Sequence, residues 1–101
     1  LMLRLKDTRA TLVCLTTTVI GEELDNEQNQ ALIGYNDAIR EIAFANGAEV
    51  IDVNAAFRDA IQRAQARNPD FRYTTDGVHL NTYGSYLMTL TLLDALHFAL
   101  A

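Results

Sequence analysis

The chain has 101 residues, with 8 Lys+Arg against 13 Asp+Glu and a formal net charge of −5. Half of the residues are apolar and 21% are charged, which excludes a disordered composition and leaves room for one domain or part of one. The acidic balance argues against nucleic acid as a partner. The single cysteine, Cys14, excludes an internal disulfide framework and fits a reducing compartment, and no apolar run is long enough to span a membrane.

Leu1-Met2 opens without a basic leader or cleavage site, so the start is expected to be internal to a longer chain. Residues 1–7 read as the tail of a helix. The β-branched and apolar run Thr11-Leu12-Val13-Cys14-Leu15-Thr16 predicts a strand buried on both faces of a parallel sheet, over 11–16. Thr16 to Asp25 has no period and reads as the loop leaving that strand.

Asn26 is the expected N-cap of a long helix over 27–46, with an apolar stripe of Leu32, Tyr35, Ile39, Ile42 and Ala43. Asn46-Gly47 ends it, Gly47 taking the left-handed conformation. Glu49 to Val53 predicts the second strand, 49–53. Asn54 is expected to cap a shorter helix over 55–66 that carries Phe57, Ile61 and Ala64, stopped by Arg67-Asn68-Pro69-Asp70.

Residues 67–78 form a loop, and Asn81 or Thr82 opens a last helix over 82–100. That helix is apolar on most sides, through Tyr83, Tyr86, Leu87, Leu90, Leu93, Leu96 and Leu100, and so expects cover from other elements. The two parallel strands joined through a helix predict an α/β fold. Two strands make a small sheet, so residues 1–101 read as a single partial domain, the carboxyl-terminal half of a larger α/β domain.

The chemistry concentrates in Asp76-Gly77-Val78-His79. An Asp three residues before a His, in a loop with a Gly between them, can accept the imidazole Nδ1–H. Nε2 then remains free to take a proton from a nucleophile. On spacing alone a second reading stands beside it, a carboxylate capping loop N–H groups with His79 as a bystander. A metal site is a third, and it lacks further ligands, the only other histidine being His97. Asp94 and His97 share the spacing inside a helix, where the structural reading prevails.

Ser85 is the only serine and stands on the first turns of the last helix, a surface residue rather than a partner of His79. Cys14, within an apolar strand, reads as a small core residue. Asp52 stands near the carboxyl end of a strand, the edge where open α/β sheets place ligands, and reads there as a helix cap or a partner of loop backbone rather than a site residue. Thr16, Thr17 and Thr18 leave the other strand at the same edge, where they line a site mouth or satisfy loop backbone.

The stretch from Asp76 to Met88, with Asn81 and Gly84 at matching offsets, resembles the last conserved block of the SGNH hydrolases, also called GDSL lipases/esterases. Leu12 to Thr17, Tyr35 to Arg40, and Val50 to Val53 with Phe57 are similar in outline to that family's late strand, following helix and last strand. The resemblance implies a flavodoxin-like three-layer α/β/α fold and a serine esterase acting on a small acyl or acetyl ester. His79 would be its general base and Asp76 the orienting partner. It implies neither metal nor organic cofactor. The family's nucleophile block, Gly-Asp-Ser near its amino terminus, has no match in this chain. The expected partners are therefore a small ester and an amino-terminal half of the domain, or a second copy of the chain. A rival reading is a non-catalytic α/β binding or assembly module in which Asp76 and His79 are structural.

Overall fold

The computed structural model describes the backbone over residues 12–100 and side-chain surroundings through residue 96. The expected helix tail at 1–7, and the Asp94–His97 comparison, lie outside these described residues. Strand β1 (Val13–Leu15) is followed by helix α1 (Glu27–Ala45), strand β2 (Glu49–Ile51), helix α2 (Val53–Arg67) and helix α3 (Thr82–Leu100). The strands pair in parallel, with Val13 opposite Glu49, Cys14 opposite Val50 and Leu15 opposite Ile51. The fold is α/β, as the sequence predicts.

The caps explain where the helices begin and end. Asn26 accepts the backbone N–H of Asn29 through its side chain and starts α1. Gly47, at φ 68°, lets the chain turn out of the helix toward β2. Asn81 accepts the N–H of Gly84 at 2.9 Å and opens α3.

Helix α2 corrects the expected boundary. Its N-cap is Asp52, which accepts the Ala55 N–H, and the helix starts at Val53 rather than beyond Asn54. The strand therefore stops at Ile51, because Asp52 already offers its carboxylate to the first turn. Asn54 instead sits buried, with its Nδ2 donating to the Thr18 carbonyl at 2.8 Å.

The main core is Val19, Ile51, Val53, Phe57 and Ile61, all buried, with Tyr73, Leu80, Leu87, Met88, Leu92 and Leu96 packed against it. Helix α3 thus lies over β2 and α2. Helix α1 covers the strands with Leu32 and Ala43, outside that cluster.

Burial departs from the sequence expectation in three places. Strand β1 is not covered on both faces: Leu15 is 44% exposed and Val13 and Cys14 are half-buried. Among the described residues β1 has a neighbour on one edge only. The inner face of α1 is Asn29, Leu32, Asn36 and Ala43, while Tyr35 and Ile42 are 68% and 54% exposed. The helix is turned toward its asparagines because their amides hold the loop that leaves β1. Helix α3 likewise leaves Tyr83, Tyr86, Leu90 and Leu93 exposed.

Two glycines in helices give opposite expectations. A Cβ on Gly84 would collide with the Tyr73 carbonyl oxygen, whereas one on Gly34 would meet nothing within 4 Å. Gly84→Ala should destabilise by about 1–3 kcal/mol or more through overpacking against backbone. Gly34→Ala should stabilise by roughly 0.5–1 kcal/mol through helix propensity. Urea melts of the two variants compare them directly.

Candidate active site

The loop from Tyr73 to Asn81 carries the two residues of interest and is built from its own hydrogen bonds. Thr74 and Leu80 form an antiparallel bridge, and the Thr75 N–H donates to the His79 carbonyl at 2.8 Å. The Asn81 N–H donates to the Tyr73 carbonyl at 3.0 Å, and Asn81 Nδ2 to the Arg72 carbonyl at 2.8 Å. Gly77 sits at φ 94°, where a side chain is strained, and a Cβ there would crowd the Gly21 backbone at 3.1 Å. The glycine between Asp76 and His79 is thus required by the turn and by the close approach of another loop.

Within this loop Asp76 uses both carboxylate oxygens. Oδ1 accepts the backbone N–H groups of Val78 at 2.9 Å and His79 at 2.8 Å. Oδ2 lies 2.6 Å from His79 Nδ1. The His79 N–H, then the Val78 N–H, then the His79 ring hold the Asp76 carboxyl well below the usual carboxylate range. It is ionised at neutral pH and can only accept, so Nδ1 is the protonated nitrogen of the neutral ring and Nε2 carries the free lone pair. The capping arrangement and the Asp–His pair, alternatives on spacing alone, coexist in one carboxylate.

The pair faces solvent, with the His79 side chain 80% and the Asp76 side chain 54% exposed. It is anchored from the loop that leaves the carboxyl end of β1. The Gly21 N–H donates to the Gly77 carbonyl at 2.6 Å. Glu22 is buried, and its Oε1 accepts the Tyr73 N–H at 2.8 Å. Its Oε2 accepts the Thr74 N–H at 3.1 Å and the Thr74 hydroxyl at 2.6 Å.

Glu22 is the residue that sequence reasoning passed over, as one of several charges in an aperiodic loop. Asn29 and Asn36 were passed over too. Asn29 accepts the Ile20 N–H and donates to the Gly21 and Glu23 carbonyls, each at 3.0 Å. Asn36 Oδ1 accepts the Thr17 N–H at 2.9 Å. The one signal that could have found them is spacing: Asn29 and Asn36 stand seven residues apart on the same stripe of α1.

The other candidates fall apart from the pair. Ser85 is exposed on α3, and no hydrogen bond links its hydroxyl to His79 among the described residues. Cys14 is half-buried in β1. Asp52 caps α2 and also accepts the Thr16 hydroxyl at 2.9 Å and Arg40 Nη2 at 2.7 Å. Partial burial pushes its carboxyl up, but Arg40, the Ala55 N–H and the Thr16 hydroxyl outweigh that and leave it below the ordinary value. Thr16, Thr17 and Thr18 are engaged with Asp52, Asn36 and Asn54 respectively, which is the loop-satisfying role. Among the described residues no group of three or more metal-ligating side chains converges, and no helix is long and apolar enough to cross a membrane.

The depressed Asp76 carboxyl has a pH consequence. Asp titrates near 3.9 when unfolded, so the bonds Asp76 makes contribute stability that is complete above that pH. They are lost only as pH falls through the lower folded-state value. Carboxyl 13C shifts should show Asp76 ionised at pH 4, and ring 15N shifts at high pH should show His79 protonated at Nδ1. Asp76→Asn should redistribute the tautomers. An Asp76 midpoint at or above 3.9 would contradict the geometry.

No family model and no curated protein matches the sequence. Solved structures do match its fold. An acetyl xylan esterase, AlAXEase, superposes with a TM-score of 0.82 at 27% identity, over 93% of this chain and 49% of that one. LAE5, an alpha/beta hydrolase enzyme from the metagenome of Lake Arreo, Spain, gives 0.71 at 22% identity, over 93% and 43%. An acetylxylan esterase from Geobacillus stearothermophilus gives 0.71 at 15% identity, over 93% and 42%. The chain spans about half the length of the solved enzymes it matches. Over that half it has the α/β fold of these hydrolases.

Proposed function

We propose that residues 1–101 act as the carboxyl-terminal part of a serine ester hydrolase of the SGNH type. In this reading they supply the Asp76–His79 pair to a nucleophile carried by an amino-terminal part of the same domain. The observation that carries it is the 2.6 Å contact between His79 Nδ1 and an Asp76 carboxylate whose other oxygen is fixed by two backbone N–H groups. A carboxylate so fixed cannot rotate away, so it orients the ring and leaves Nε2 as the base. The fold shared with acetyl xylan esterases supports an acetyl ester as the substrate.

The reaction runs in two halves. In acylation, His79 Nε2 takes the serine hydroxyl proton as the serine oxygen bonds to the acyl carbon. The same nitrogen returns that proton to the departing alcohol. In deacylation, Nε2 takes a proton from water as its oxygen attacks the acyl carbon, and the serine oxygen leaves with the proton. Asp76 stays ionised throughout and stabilises the imidazolium that forms twice per turnover.

The exposed apolar surface supports the partial-domain reading. Strand β1 has a free edge among the described residues, with Leu15 open beside it, and Tyr35 and Ile42 lie uncovered on α1. A further strand and helix from an amino-terminal half would bury them.

In the complete domain, His79→Ala should lower turnover of a short-chain nitrophenyl ester by on the order of 10³-fold or more, and Asp76→Asn should be comparably severe. Ser85→Ala should leave it near wild type. The 101-residue chain alone should be silent toward the same ester. Esterase activity in the isolated chain, or an active His79→Ala domain, would overturn the reading.

A further inference from the structure

The Asp76–His79 turn is held from one place. Gly21 and Glu22 grip it at two points, the Gly77 carbonyl and the Tyr73-Thr74 backbone. The Thr74 hydroxyl joins the two. It donates to Glu22 Oε2 at 2.6 Å and accepts the Gly77 N–H at 3.0 Å. One hydrogen-bonded path therefore runs from the Glu22 carboxylate, through a buried hydroxyl, to the residue that follows Asp76. Among the described residues no cation pairs with Glu22, and its oxygens are occupied by three donors from residues 73 and 74. A carboxylate accepting two N–H groups and a hydroxyl fixes the backbone more tightly than any neutral side chain can, because each bond is charge-assisted.

We propose that Glu22 is a positioning residue for the Asp76–His79 pair, acting through Thr74 to set the turn in which Asp76 meets its ring and backbone partners. The assignment rests on the catalytic reading of that pair for its meaning, and on the loop geometry alone for its physics. Glu22 touches neither ring nor carboxylate. Its effect is to keep Val78 and His79 presenting both N–H groups to Asp76 Oδ1. With Glu22→Gln, the amide nitrogen that replaces one oxygen cannot accept the Thr74 N–H or the Tyr73 N–H. With Glu22→Asp, the shorter side chain cannot reach both residues. With Thr74→Val, the anchor on Tyr73 survives but the path to Gly77 is cut.

The test reads the Asp76 carboxyl by 13C NMR in the 101-residue chain, with circular dichroism melts alongside. In wild type its midpoint should lie below the ordinary carboxylate range. Glu22→Gln and Thr74→Val should raise it by at least about one pH unit toward 3.9, and should leave the His79 ring with mixed tautomers. Ala43→Gly is the control: it weakens the carboxyl-terminal end of α1, which makes no hydrogen bond to the Glu22 loop among the described residues, and lowers the melt, and it should leave the Asp76 midpoint in place. A wild-type midpoint in folded Glu22→Gln and Thr74→Val would overturn the proposal, as would an equal rise in Ala43→Gly. If Glu22→Gln fails to fold, Thr74→Val decides. The two readings fail separately. A complete domain that keeps its activity with His79→Ala would remove the catalytic meaning of the pair and leave this linkage standing.

Discussion

A buried carboxylate that binds a distant loop is the constraint on which the candidate site depends. Glu22 leaves β1's loop and closes on Thr74, 52 residues further along the chain. Burying a carboxylate is costly unless its oxygens are filled. The Tyr73 and Thr74 N–H groups and the Thr74 hydroxyl fill them. In return those groups are fixed, and the turn that follows has one shape. The Tyr73 ring adds an apolar anchor at the same place, packing edge-on to Phe57 at 6.4 Å and Phe71 at 5.0 Å.

The Glu22 loop is itself held from three sides. Asn29 and Asn36 bind it from α1, Asn54 binds it from α2, and Thr16 ties its base to Asp52. Arg40 reaches from α1 to the same Asp52 carboxylate and to Asp37 at 2.9 Å. An exposed ion pair contributes little by itself; here it serves to fix a cap. Polar side chains on both helices thus work inward, toward a loop, rather than outward toward water. That is why the inner face of α1 carries two buried asparagines where periodicity favoured Tyr35 and Ile42.

Local features were legible in the sequence and long-range ones were not. The N-cap at Asn26, the exit at Gly47 and the opening of α3 at Asn81 each depend on a few consecutive residues. So does the Asp76–His79 contact, three residues apart across a glycine. Strand burial was misread because a run such as Thr11 to Thr16 reports what a complete sheet would cover, and β1 has one neighbour among the described residues. Asn54 was misread as a cap because Asp52, two residues earlier, competes for the same first turn and wins with a charge. Glu22 was passed over because nothing near it in the sequence reveals a partner more than fifty residues away.

In the proposed reaction His79 is a base that works only with a serine from outside these 101 residues. Covalent labelling with a fluorophosphonate tests it most directly. A phosphorus–oxygen bond forms at an activated serine, fluoride leaves, and the serine proton passes to the histidine. Mass spectrometry of the complete domain should place one phosphonate on a serine of the amino-terminal part, and His79→Ala should abolish the label. The 101-residue chain alone should remain unlabelled. A phosphonate on Ser85, or undiminished labelling of the His79→Ala domain, would contradict the account.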